Sequence, residues 1–131
     1  MTDRAGYLAA ALRLYLDLPG APRRPSRTDF AVAATLHDRG VPLDTLAHAM
    51  RLATLRRTLR CPDDPPLEPV GSLAYYRRVL DTLTPEALDP GYVAYIDHKY
   101  HELLAVLAGS PYPEHLAALL NRQNPAVSDR R

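Results

Sequence analysis

The chain contains no Trp, one Phe, one Cys and a single Lys. Each shortage narrows what it can be. Without Trp and with Phe30 alone, the core has to be built from Leu, Ala, Val and the amphipathic rings of eight Tyr. With Cys61 alone no intrachain disulfide can form, which fits a reducing cytoplasm. No apolar run approaches the roughly 20 residues of a membrane span. Met1-Thr2-Asp3-Arg4 lacks the basic and apolar regions of a secretory leader. There is no HExxH motif, no pair of ligating cysteines and no Gly-rich phosphate loop. The scarcity of Lys leaves fifteen Arg among sixteen basic residues. A GC-rich genome would produce the same bias, so an Arg is not by itself a functional signal.

At 131 residues, with 47% apolar and 24% charged side chains, the chain has room for one ordinary domain. Its net charge of +1 excludes a wholly basic nucleic-acid coat and an acidic solvating tail. The charge is divided unevenly. Residues 1–60 hold ten Arg and five Asp, whereas residues 61–131 hold six basic and ten acidic side chains. That split fits an anion-binding face on one side, and it equally fits two halves that pair with each other.

Pro and Gly punctuate a helical pattern. A first helix spans residues 3–16 with Thr2 as N-cap, carrying Leu8, Leu12, Tyr15 and Leu16 at helical spacing. A Pro/Arg linker follows, and Ser26 with Asp29 resembles a capping box for a second helix over 27–38. Gly40 supplies a left-handed helix end, and a third helix runs from 42 or 43 towards 59. That helix has two apolar stripes on nearly opposite sides: Leu43, Leu46, Met50 and Ala53, then His48, Leu52, Leu55 and Leu59. Such a helix is either central or seals an interface as well as a core. Four prolines between Cys61 and Pro69 make an extended loop. Ser72 caps a fourth helix over 73–83, Thr84-Pro85-Glu86 opens a short one, and Asp89-Pro90 opens a long one over 91–108. A last short helix over 113–120 offers Leu116, Leu119 and Leu120. No period-2 run of β-branched residues occurs. The expected fold is all-α, a compact bundle of about five to six helices with a helix-turn-helix-like hairpin around Gly40. One domain over 1–120 is followed by a tail over 121–131.

Four constellations could carry chemistry. The hairpin around Gly40 could place the third helix in a DNA groove, although any helical hairpin in a bundle looks similar. Arginines form three clusters: Arg23, Arg24 and Arg27; Arg56, Arg57 and Arg60, with Arg51 outside their arc; and Arg77 with Arg78. Guanidinium forks suit backbone phosphates. The rival is solvation, or pairing with Asp63, Asp64 and Glu68. His98 and His101 are one helical turn apart but lack further ligands, so they read as surface histidines and no metal is expected. Tyr75-Tyr76 before Arg77-Arg78 sets aromatic rings beside cations, as single-strand binders do, and as protein interfaces also do.

Two segments carry a family resemblance. Gly40-Val41-Pro42-Leu43-Asp44-Thr45-Leu46-Ala47-His48-Ala49-Met50 is similar to the glycine turn and Ala-rich helix of the helical domain of DnaD-type replication-initiation proteins. Ser72-Leu73-Ala74-Tyr75-Tyr76-Arg77-Arg78-Val79-Leu80-Asp81-Thr82-Leu83 resembles a later helix of that family, in which a Tyr precedes an apolar pair. The resemblance implies DNA binding coupled to contacts with replication partners, in bacteria or their mobile elements.

The expected function is therefore a DNA-associated accessory protein without enzymatic activity, a cofactor or membrane contact. Its phosphate contacts are Arg23, Arg24, Arg27, Arg51, Arg56, Arg57, Arg60, Arg77 and Arg78. The alternative is a protein–protein adapter or homodimer docking through Tyr75, Tyr76, Leu52, Leu55 and Leu59.

Overall fold

The computed structural model describes residues 3–59, 63, 67 and 70–109. Arg60, Cys61 and the 113–120 stretch lie outside the described residues. Among those described, every regular element is helical, in keeping with the all-α expectation. The order is α1 (Arg4–Leu16), α2 (Arg27–Asp38), α3 (Leu43–Thr58), α4 (Ala74–Asp81), a 3₁₀ turn (Glu86–Leu88) and α5 (Pro90–Gly109).

Local chemistry sets the ends. The N-cap of α1 is Asp3, whose carboxylate accepts the Gly6 N–H at 2.7 Å; a helix needs one such acceptor at its first turn, and Asp3 rather than Thr2 supplies it. Ser26 and Asp29 form a reciprocal capping box on α2. At the other end of α2, Gly40 sits at φ +72°, the Gly40 N–H donates to the His37 carbonyl (3.0 Å), and the Val41 N–H donates to the Leu36 carbonyl (3.1 Å). This pairing satisfies two carbonyls that a helix end otherwise leaves orphaned. No atom within 4 Å would obstruct a Cβ at Gly40. Gly40→Ala is therefore expected to cost about 1–2 kcal/mol through backbone conformation alone, and Gly40→Asn less. Urea denaturation of the two variants checks this, and equal loss in both would contradict it.

α4 is shorter than its sequence pattern. Ser72 still accepts the Ala74 N–H (3.1 Å), but Thr82 closes the helix by donating to the Val79 carbonyl. A hydroxyl that bonds a nearby carbonyl competes with helix continuation. Thr84 and Asp89 accept backbone N–H groups at the starts of the 3₁₀ turn and α5.

The helices alternate in direction. Arg4 pairs with Asp38, and the Tyr7 hydroxyl donates to the Val41 carbonyl at 2.7 Å, so α1 starts where α2 ends and α3 begins. Tyr15 and Leu18 meet Thr54 and Arg57 at the opposite end. α2 packs on α1 and α4, while α3 packs on α1, α4 and α5. α3 is thus the central helix, which explains both of its apolar stripes within one chain. Leu46, Met50, Leu52, Ala53 and Leu55 are all buried. His48 is buried among them; its Nε2–H donates to the Ala87 carbonyl at 2.7 Å, and its ring meets Tyr92 edge-on.

This centrality corrects the docking stripe expected from sequence. Leu52 and Leu55 are core residues and present nothing to a partner, and Leu59 packs against the same core. Tyr76, 4% exposed, is also interior, edge-on to Tyr15 and Tyr75. Of the five residues, Tyr75 and Leu59 alone keep partial exposure.

Candidate functional site

The alternating helix directions gather the arginine clusters at one end of the bundle. The α1–α2 linker, the last turn of α3 and the first turn of α4 all meet there. Asp29 fixes the meeting point. Its buried carboxylate accepts the Ser26 N–H (2.8 Å), the Leu73 N–H (2.9 Å) and the Ser72 hydroxyl (3.2 Å). One carboxylate thereby caps α2 and holds the start of α4 against it.

Above this joint, Tyr75 lies between two guanidinium groups. Arg57 from α3 stands 5.2 Å from its ring centroid, and Arg78 from the next turn of α4 stands 6.0 Å away. Both distances are within the range of cation–π attraction. The ring faces are not stacked on other aromatics: Tyr76 meets Tyr75 edge-on at 88°. On α4, a step of about 100° per residue carries Arg77 round from the buried Tyr76 on the side away from Tyr75, and Arg78 outward. Arg23, Arg24, Arg27, Arg56 and Arg78 are exposed and Arg77 partly so. No ion pair forms at any of these six among the described residues, whereas Arg4, Arg39, Arg51 and Lys99 are all paired.

Arg51 is corrected by this comparison. It is half-buried, bonded to Asp97 at 2.9 Å and set 5.9 Å from the Tyr100 ring. It clamps α3 to α5 and is not part of the cationic end. Arg39 similarly reaches Asp81 at 3.1 Å. Intramolecular pairing between the basic and acidic halves is thus real at Arg39 and Arg51, while Arg23, Arg24, Arg27, Arg56, Arg77 and Arg78 form no ion pair among the described residues. Arg60 lies outside the described residues.

One residue of this end escaped the sequence reading. Phe30 was given no role from the sequence, and it is 48% exposed. It follows Arg27 by three positions, so both project from one face of the first turn of α2. The signal was available: Asp29, Val32, Ala33 and Leu36 define the buried face, and Phe30 is off it.

Beside Tyr76 a shallow cleft of about 310 Å³ is bounded by Tyr15, Leu18, Ala21, Thr54, Arg57 and Val70. Burial pushes the Tyr76 hydroxyl up to about 12, against the opposing effects of Thr54 and Arg57. Burial likewise raises Tyr15, with Asp29 adding in the same direction. These phenols stay protonated at neutral pH and supply no nucleophile or base.

His98 lies 3.7 Å from Glu102, and His101 Nδ1 lies 2.8 Å from the Asp97 carbonyl oxygen. Among the described residues no three His, Cys, Asp or Glu side chains group to hold a metal ion. No helix there is long and apolar enough to cross a membrane. Lys99 is tied down as well: its ammonium lies 3.2 Å from Glu102 and 5.7 Å from the Tyr95 ring centroid. Neither the protein-family models, nor the curated proteins, nor the solved structures contain a match to this chain.

Proposed function

We propose that this is a non-catalytic nucleic-acid-binding protein that grips a phosphate backbone at the arginine-bearing end of its bundle, as a DNA-associated accessory factor. The observation that carries this reading is that Arg23, Arg24, Arg27, Arg56, Arg77 and Arg78, on elements that meet towards one end, have no ion-pair partner among the described residues, as Arg13 also has none, while Arg4, Arg39 and Arg51 are paired. Guanidinium groups without ion-pair partners keep their charge available to a polyanion. The exposed ring of Phe30 adds a face on which an unstacked base can lie, so a single strand is the favoured form. A role in replication or in a mobile element rests on the resemblance to DnaD-type helical domains and is part of the same proposal.

Fluorescence anisotropy with a labelled single strand and the matching duplex tests it. With about five phosphates contacted, single-strand affinity should fall roughly 100-fold between 50 and 200 mM salt. Changing Arg56, Arg77 and Arg78 together to Gln should flatten that slope, since each lost contact removes about 0.7 from it. An absence of binding at low salt would sink the proposal, and binding insensitive to salt would sink its mechanism.

A further inference from the structure

The cleft beside Tyr76 lies at the end of the bundle that carries the arginines without ion pairs. Its walls come from the end of α1, from the linker that leads to Arg23 and Arg24, and from the last turns of α3. Leu18, Ala21 and Val70 give it apolar sides, and Pro19 and Gly20 stand exposed at its rim. Arg57 belongs both to this cleft and to the cation–π contact with Tyr75. At about 310 Å³ the cleft is at the small end of ligand pockets, with room for one flat ring system.

One polar group lining it has no task in the fold. Tyr15 is 1% exposed, and its hydroxyl has no hydrogen-bond partner among the described residues. The groups around it are engaged elsewhere. The Thr54 hydroxyl donates to the Met50 carbonyl at 2.7 Å, and the Tyr76 ring meets the Tyr15 ring edge-on. A buried hydroxyl without a partner costs stability, and a ligand that accepts a hydrogen bond from it recovers that cost.

We propose, resting on the phosphate grip described above, that this cleft takes one nucleobase of a bound single strand and that the Tyr15 hydroxyl donates to a ring carbonyl of that base. A base joins two properties that the cleft also joins. Its faces suit the apolar sides made by Leu18, Ala21 and Val70, and its edge carries acceptors that suit a buried phenol. Arg23 follows the cleft residue Ala21 by two positions, and Arg57 lines the cleft itself, so phosphates next to a held base come near guanidinium groups.

Two labelled strands of equal length test this by anisotropy at one low salt concentration. The first is oligo-dT, whose bases carry ring carbonyls, and the second is an abasic strand that keeps the sugar–phosphate chain alone. Tyr15→Phe should weaken binding of oligo-dT roughly tenfold and leave the abasic strand unchanged. Ala21→Leu, which narrows the cleft from its side, should give the same pattern. Thermal stability should not fall in Tyr15→Phe, because the hydroxyl it removes has no partner to lose. Unchanged oligo-dT affinity in Tyr15→Phe, or an equal loss on both strands, would overturn the proposal and leave the phosphate grip standing. A fall in Tm of several degrees in that variant would overturn it as well, by showing that the hydroxyl already serves the fold. If neither strand binds the unaltered protein, the phosphate grip itself fails and the base site fails with it.

Discussion

Asp29→Ala is expected to destabilise the fold by about 3–5 kcal/mol, a large share of the 5–15 kcal/mol that typical domains possess. The reason is the number of donors that depend on one carboxylate. Ser26 N–H, Leu73 N–H and the Ser72 hydroxyl all donate to it, and Asp29 is 1% exposed. Hydrogen bonds to a charged acceptor contribute about 1.5–3 kcal/mol each, and a buried N–H left without a partner costs more than the bond it loses. Loss of the capping box alone would cost only about 1 kcal/mol. Chemical denaturation separates the two accounts. A loss near 1 kcal/mol would mean that the link from α2 to α4 contributes nothing. Asp29→Asn should fall between, since its amide keeps one oxygen but turns two new donors towards donors. Because the same joint brings the Arg27 and Arg77 segments together, Asp29→Ala should also weaken nucleic-acid binding under conditions where the variant remains folded.

The second large effect is alkaline. The Tyr76 hydroxyl is pushed up to about 12 by burial, above the ordinary tyrosine value of 10.0. A raised pKa in the folded state means that the folded protein holds its proton after the unfolded chain has lost it. Stability from this source is complete below pH 10 and declines as pH rises towards 12. At 1.36 kcal/mol per unit, Tyr76 alone accounts for a decline of about 2–3 kcal/mol. Burial raises Tyr7, Tyr15 and Tyr100 in the same direction, so alkaline unfolding should be cooperative. Denaturation midpoints across pH 9–12 check this. Tyr76→Phe should remove part of the slope, because no phenol remains to ionise there. A wild-type slope that Tyr76→Phe leaves intact would assign the alkaline loss to other groups.

Much of the secondary structure was legible because its causes are local. Ser26 and Asp29 sit three residues apart and cap a helix wherever that spacing meets an apolar face. Gly40 ends α2 for a reason contained in six residues. The second task of Asp29 was not legible, since Ser72 and Leu73 lie more than forty positions away and nothing in either segment names the other. The same distinction governs the site. That Arg56, Arg57, Arg77 and Arg78 could touch phosphate follows from their type. Only the alternation of helix directions tells which of them share an end. Arg51 shows the converse: its place outside the arc of Arg56, Arg57 and Arg60 was legible, but its commitment depends on Asp97 from α5. Leu52 and Leu55 misled in a related way. A stripe opposite the first stripe reads as an interface until the second layer, α5, is seen to cover it.

The tethering of Lys99 bears on how this protein meets the rest of the cell's chemistry. Acetylation, methylation by lysine-directed enzymes and isopeptide attachment all need a mobile side-chain amine. This chain has one such amine among its 131 residues, and that amine is held between a carboxylate and an aromatic ring with 16% of the side chain exposed. The cationic end is made of guanidinium, which keeps its charge throughout the physiological range. On the proposed function, its grip on an anion therefore cannot be relaxed by acylating lysines.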